Sequence, residues 1–293
     1  MNQAVPLPDD HLRALHQGYR QVLASQRRQH LLGLATLLGL LGLSAWMTEV
    51  DLLKFFGNIG NFTSYIDRLS RLESGARVVT DPIEWFWGWK TWLLQLGETL
   101  LMAYVGTLAG ACGALGLCFL SSRNITANRA LLFGSKRLLE FARTVPDLVF
   151  AMIFIMAFSL GPMPGVLALA IHSMGSLGKL FSEVVENIDM KPVDGVLATG
   201  GSWWQKIYFA VMPQVFSSFV SYTLLRFEIN VRGAAVLGFV GAGGIGQTLI
   251  EAIRKFYYAD VSALLLLIVV TVMLVDQMTQ KLRARILGLE LRA

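Results

Sequence analysis

Apolar positions in this chain fall in long blocks rather than in alternation. Leu31 to Met47 forms the first, Leu93 to Leu120 the second, Val215 to Leu237 and Ala259 to Asp276 the last two. About 20 apolar residues in a helix cross a hydrocarbon core of about 30 Å. The block from Leu148 to Gly178 holds 31 residues without a formal charge, too many for one crossing. Leu160-Gly161-Pro162-Met163-Pro164-Gly165 interrupts it, because proline cannot continue a helix. The pattern predicts an all-α polytopic membrane protein with six spans, at 30–50, 93–120, 144–160, 164–181, 215–237 and 259–276. Residues 1–29 then form a polar amino-terminal segment and 51–92 an external, interfacial one. Residues 93–285 form the core, with its longest loop at 182–214, and 286–293 a tail.

Composition agrees with this reading. Of 293 residues, 54% are apolar and only 15% charged, against about 25% charged in an ordinary soluble domain. The mean hydropathy is +0.55. Disorder and a disulfide scaffold are excluded; Cys112 and Cys118 share one apolar run and read as packing residues. The net charge of +5 does not point to nucleic acid, since membrane proteins concentrate basic residues in cytoplasmic loops. With the amino terminus inside, inner segments hold 16 Lys and Arg and outer segments 7, which places both termini in the cytoplasm. The first apolar run comes too late for a usual secretory signal and reads as an uncleaved span. Trp85, Phe86, Trp87, Trp89 and Trp92 read as a headgroup belt, with a ligand-stacking site as the alternative.

Candidate chemistry is sparse. Gly241, Gly243 and Gly246 match G-x-G-x-x-G, but a dinucleotide site needs a strand before that run, and here a membrane helix precedes it. The segment with Gly244 reads instead as flexible, closely packed backbone at the outer end of the fifth span. No phosphate-binding G-x-x-x-x-G-K-[ST] and no metal-ligand spacing occur in the sequence. Gly106 and Gly110 make a small-xxx-small face for close helix approach. Arg226, Glu228, Asn230 and Arg232 sit in or beside the fifth span, where unpaired charge is costly. Glu228 and Arg232 are spaced i, i+4 and can pair. Two readings stand for these four and His172: a transient contact for an anion in a pathway, or a pair that locks helices. Asp147 reads as a helix cap, and Glu140 with Arg143 as a local pair.

The loop 182–214 is the most structured of the hydrophilic stretches. It reads as a short helix, a Gly200-Gly201 turn, a second short helix and Pro213 before the next span, a rigid elbow. Asp194, Gly195, Val196, then Gly200, then Ala210, Met212 and Pro213 keep the spacing of the EAA motif, which this stretch resembles, of ABC-importer permeases. Gly200 and Pro213 match that motif outright; Asp, Gly, Val, Ala and Met replace its other residues. The stretches Arg143 to His172 and Arg226 to Gly246 are similar to phosphonate- and phosphite-type permeases, and the resemblance covers about residues 93–285.

That resemblance implies a type I importer fold in a bacterial inner membrane. It implies a pore of two copies of the chain, two separate ATPase subunits that bind ATP and Mg, and a periplasmic binding protein that delivers a phosphorus oxyanion. In it Asp194 faces a basic residue of the ATPase, and Trp203 and Trp204 supply apolar contact area, a headgroup anchor being the alternative. Two other functions stand beside it. A secondary transporter would use Glu228, Arg232 and His172 as a coupling network. An intramembrane hydrolase would use His172 with Ser173 or Ser176.

Overall fold

The computed structural model describes residues 9–48, 51–72 and 74–290, so residues 1–8 and 291–293 of the two terminal segments lie outside the described residues. The chain divides into two units, Met1–Tyr65 and Ile66–Ala293. In the first, α1 (Asp9–Met47) is one 39-residue helix. The sequence reading separated a polar segment from a span beginning near 30. The structure joins them, because residues 9–29 hold no proline and are rich in Leu, Ala, Gln and Arg, all good helix formers. Ser25–Met47 is the part long and apolar enough to cross a membrane. α2 (Leu52–Gly57) starts where the Asp51 carboxylate accepts the Lys54 N–H at 3.0 Å. α3 (Ile59–Leu69) follows.

Among its described residues the second unit holds helices, the turns and loops between them, and an isolated bridge between Arg71 and Arg77. It runs α4 (Pro82–Trp85), α5 (Trp89–Ser121), α6 (Arg129–Thr144), α7 (Asp147–Phe158) and α8 (Pro162–Glu186). Then come α9 (Lys191–Ala198), α10 (Trp203–Gln205), a π-helical turn (Lys206–Val211) and α11 (Met212–Leu237). A 3-10 turn (Gly238–Val240), α12 (Gly244–Arg254) and α13 (Tyr258–Glu290) complete it.

Four to five of the six expected spans are matched by helices long and apolar enough to cross. Among the described residues four helices are long and apolar enough to cross: Ser25–Met47, Trp89–Ser121, Trp203–Val240 and Tyr258–Ile286. A fifth crossing is reached if α6 and α7, bent by 88°, count as one broken span. The sequence placed a span at 144–160, but α7 has 12 residues, about 18 Å of helix, too short alone. Residues 129–144, read as loop, form the amphipathic partner α6. Pro146 makes the break: it lacks an N–H and forces Val145 into extended backbone, ψ 123°. α8, read as the span 164–181, is less apolar because His172, Ser173, Ser176 and Lys179 interrupt it. It is the centre of the unit, with Ala168, Leu169, Leu177 and Val185 fully buried.

Small residues set how closely α8 is packed. The Gly106–Gly110 face of α5 meets it: a Cβ on Gly106 would stand 2.7 Å from Leu169 Cβ, and one on Gly110 2.7 Å from the Ala170 carbonyl oxygen. On its other side Gly175 lies against the α6 backbone, where a Cβ would stand 2.5 Å from Arg143 N. Apolar clusters fill the rest, one of them built on the stacked rings of Phe181 and Phe219, 4.1 Å between centroids. Because backbone rather than side chain blocks Gly175, Gly175→Val is expected to destabilise by about 1–3 kcal/mol. Gly116→Ala on α5, with nothing within 4 Å, serves as the neutral control. Thermal unfolding of both variants in detergent checks this; equal midpoints would show that the α6–α8 contact is loose.

Candidate functional site

Three polar zones stand along the second unit. The first is the elbow between α8 and α11. α9 ends in a Schellman turn: Gly200 has φ +78°, its N–H donates to Leu197 O, and the Gly201 N–H reaches back to Val196 O, both 3.0 Å. A Cβ on Gly201 would collide with Val196. α10 then starts in a capping box, with Ser202 Oγ accepting the Gln205 N–H while Gln205 Oε1 accepts the Ser202 N–H. Pro213 lies where the π-helical turn passes into α11, inside the continuous helix Trp203–Val240, so the second short helix expected before the span is joined to it. The elbow's inner side is part of one core: Val193, Ile207, Ala210 and Val211 are buried with Phe181, Val185, Val215 and Phe219, and Val196, Trp203 and Met212 pack against them. Its outer side carries Asp194, Gly195, Gly200, Leu197 and Trp204, the last 74% exposed.

Two ties bind the elbow to its neighbours. Lys206 is buried, and its Nζ donates to the Ile125 carbonyl at 3.2 Å. Gln214 clips the loop after α8, accepting the Asp189 N–H at 3.1 Å and donating to Asp189 O at 3.2 Å. Just before it, Glu186 accepts the Arg123 N–H and Lys136 Nζ, each at 3.0 Å. Burial alone would push the Glu186 carboxyl up, but the Arg123 N–H and the Lys136 ammonium outweigh it and hold it below the usual glutamate range.

The second zone lies midway along α5, α8 and α11. Asn230 is 1% exposed and donates to Thr107 Oγ1 at 2.8 Å and Ser173 Oγ at 2.7 Å. Arg226, one turn earlier, donates through Nε to the same Ser173 Oγ at 3.1 Å. Glu228 points elsewhere. It pairs with Arg232 at 2.7 Å, and from α13 Arg283 lies 3.7 Å away while Thr279 Oγ1 donates at 3.4 Å. The five residues singled out in the sequence are therefore split. Arg226 and Asn230 form one network with Ser173 and Thr107; Glu228 and Arg232 form another with α13. His172 joins neither by hydrogen bond: its Nδ1 lies 3.0 Å from Val145 O, the carbonyl next to the Pro146 break. Ser173 Oγ is thus held by Arg226 and Asn230 rather than by a histidine base. Asp147 begins α7, accepting the Leu148 N–H at 2.9 Å, but Pro146 occupies the cap position. Glu140 pairs with Arg137, not with Arg143.

The third zone is the glycine segment. Gly241, Gly243 and Gly244 all have φ between +69° and +96°. Gly243, Gly244 and Gly246 are buried, and Gly241 is half-buried. The Gly244 and Ile245 N–H groups at the start of α12 donate to Glu98 Oε2 at 3.3 Å and Thr99 Oγ1 at 2.9 Å on α5. Gly241 O accepts the Gly161 N–H at 3.1 Å. Close packing was expected here, and so was looseness; the structure packs the segment on three sides. Glu98 and Thr99, like Thr107, Ser173, Thr279, Arg283 and Lys206, were not legible as partners. The usable signal was spacing: Thr279 and Arg283 stand i, i+4, as Arg226 and Asn230 do, so each pair presents one helix face.

Comparisons with known proteins concern the chain as a whole. Residues 114–287 match the family described as binding-protein-dependent transport system inner membrane component. The phosphite transport system permease protein PtxC of Stutzerimonas stutzeri is 41% identical over 199 residues, 68% of this chain and 72% of that one. The phosphate-import permease protein PhnE of Mycolicibacterium smegmatis is 42% identical over 175 residues, 60% of this chain but 33% of that longer one. A chain of the MetNI methionine ABC transporter in an inward-facing conformation superposes with a TM-score of 0.60 at 19% identity, over 70% of this chain and 98% of that one. At that identity the likeness is one of fold.

The Glu186 tie has a pH signature. Because its carboxyl is held low, its contribution to stability is present above the ordinary value of 4.5 and is lost as pH falls below that value through the lowered one. Unfolding midpoints of the wild type and Glu186→Gln, followed from neutral to acid pH, are expected to differ at neutrality and converge at acid. Parallel curves would show that the tie contributes nothing.

Proposed function

The chain belongs to the binding-protein-dependent transport system inner membrane component family, and we propose that within it this permease carries a small phosphorus oxyanion of the phosphite, phosphonate or phosphate kind. It is a multi-pass inner membrane protein and the non-catalytic permease of an ABC importer, whose ATPase is a separate subunit. The substrate class is supported by two relatives above 40% identity, named for phosphite and phosphate transport. Two copies of the chain form the pore, both termini are cytoplasmic, and the elbow faces the cytoplasm, where an ATPase subunit grips it.

The observation that carries this reading is the elbow itself. Its backbone ends are closed by the Schellman turn and the capping box, so its outer side offers side chains: Asp194 for a basic partner, Leu197 and Trp204 for an apolar one. Its inner side shares one core with the ends of α8 and α11. Push on the outer side and both helices follow as a body, which is the motion alternating access needs. The Arg226 guanidinium beside Asn230, Ser173 and Thr107 is suited to meet oxyanion oxygens in passing. Glu228, Arg232, Arg283 and Thr279 instead fasten α11 to α13.

In sealed vesicles holding the whole complex, uptake is expected to need ATP, the ATPase subunit and the binding protein, and to survive an uncoupler. Gly200→Pro places a fixed negative φ where +78° is required and deletes the N–H bound to Leu197 O. It is expected to abolish uptake while the chain still inserts; undiminished uptake would count against the lever.

Arg226→Met tests the pathway. Uptake of the oxyanion is expected to fall at least about tenfold, the worth of one charge-assisted contact, with the unfolding midpoint nearly unmoved. A large drop in midpoint with normal residual uptake would make Arg226 a packing residue.

A further inference from the structure

Between α5, α11 and α13 lies a cleft of about 520 Å³. Its walls are Leu108, Leu224, Phe227, Met278 and Leu282, with Tyr104 at one end, and no acidic residue lines it. At the other end stand Lys281 and Arg285. They are exposed, spaced i, i+4 on one face of α13, and have no ion-pair partner among the described residues. Arg283, between them in sequence, is engaged by Glu228 instead. Both cations fall within the last six residues of the span Tyr258–Ile286, the depth at which long basic side chains reach the headgroups.

An apolar trough that ends in two free cations at headgroup depth has the shape and charge of a phospholipid. We propose that this cleft binds an anionic phospholipid, its phosphate between Lys281 and Arg285 and an acyl chain along α11. A basic pocket between membrane helices is the general form of such a site. A second polypeptide fits less well. The chain's own exposed apolar stretch, residues 31–47, has no carboxylate to meet the cations. The site also touches the polar networks. Thr107, which accepts from Asn230, and Thr279, which donates to Glu228, both line the cleft. An acyl chain seated there covers both from bulk lipid and water. The inference stands on the cleft and its charges, independent of the substrate carried.

The test uses the whole complex in nanodiscs of phosphatidylcholine with about one-fifth phosphatidylglycerol. Native mass spectrometry then reads which lipids stay with the protein. The wild type is expected to retain phosphatidylglycerol over phosphatidylcholine. The double variant Lys281→Gln, Arg285→Gln is expected to lower that preference roughly thirtyfold, the contribution of two basic residues near an anionic headgroup. If the double variant fails to assemble, Arg285→Gln alone is expected to lower it about fivefold. Leu282→Trp keeps both charges but fills the trough, and is expected to release the lipid as well. Retention by Leu282→Trp, no preference in the wild type, or an unchanged preference in the charge variants overturns the proposal. So does a photo-crosslinker at Leu224 that captures a polypeptide instead of an acyl chain.

Discussion

A polar group among membrane helices has no water to turn to, and the second unit is arranged around that constraint. The carbonyl of Val145, next to a proline break, is met by His172. Asn230 spends its amide N–H groups on Thr107 and Ser173, and Arg226 shares the same serine. Glu228 collects Arg232, Thr279 and Arg283. The first turn of α12 hands its N–H groups to Glu98 and Thr99. Apart from the Glu228–Arg232 pair, which lies within α11, these contacts reach from one element to another, so the polar residues help define which helices are neighbours. Glycines then decide how close they come.

The elbow follows a different logic. Its short helices are held by caps and by a core it shares with α8 and α11, and Lys206 and Gln214 tie it to loops on either side. Few of its groups need a partner that the chain does not supply. What it leaves exposed is side-chain surface, the kind of surface another protein reads.

Much of this was legible beforehand, and the misses are physical. The turn after α9 could be read because Gly acts locally, with αL backbone at Gly200, whereas Pro213 marks the join of the π-helical turn and α11 rather than a helix start. The Gly106–Gly110 approach was legible for the same reason. Spans are less legible where a helix answers to tertiary packing. α8 is interrupted by polar residues that its neighbours satisfy, and α6 hides an apolar face among charges that read as loop. The two polar networks were half visible. Arg226, Glu228, Asn230 and Arg232 lie within seven residues, but their partners stand on α5, α8 and α13, and a sequence without the fold does not bring residue 107 to residue 230.

The length of α11 turns the stiffness of the elbow into gain. A 26-residue helix is about 39 Å long. Fixed at its Pro213 end to a body that tilts by about 10°, it sweeps its Gly238 end through about 7 Å. A displacement of that order is wider than a small oxyanion, so on the proposed lever reading a modest swing at one surface suffices to open or shut a passage at the other.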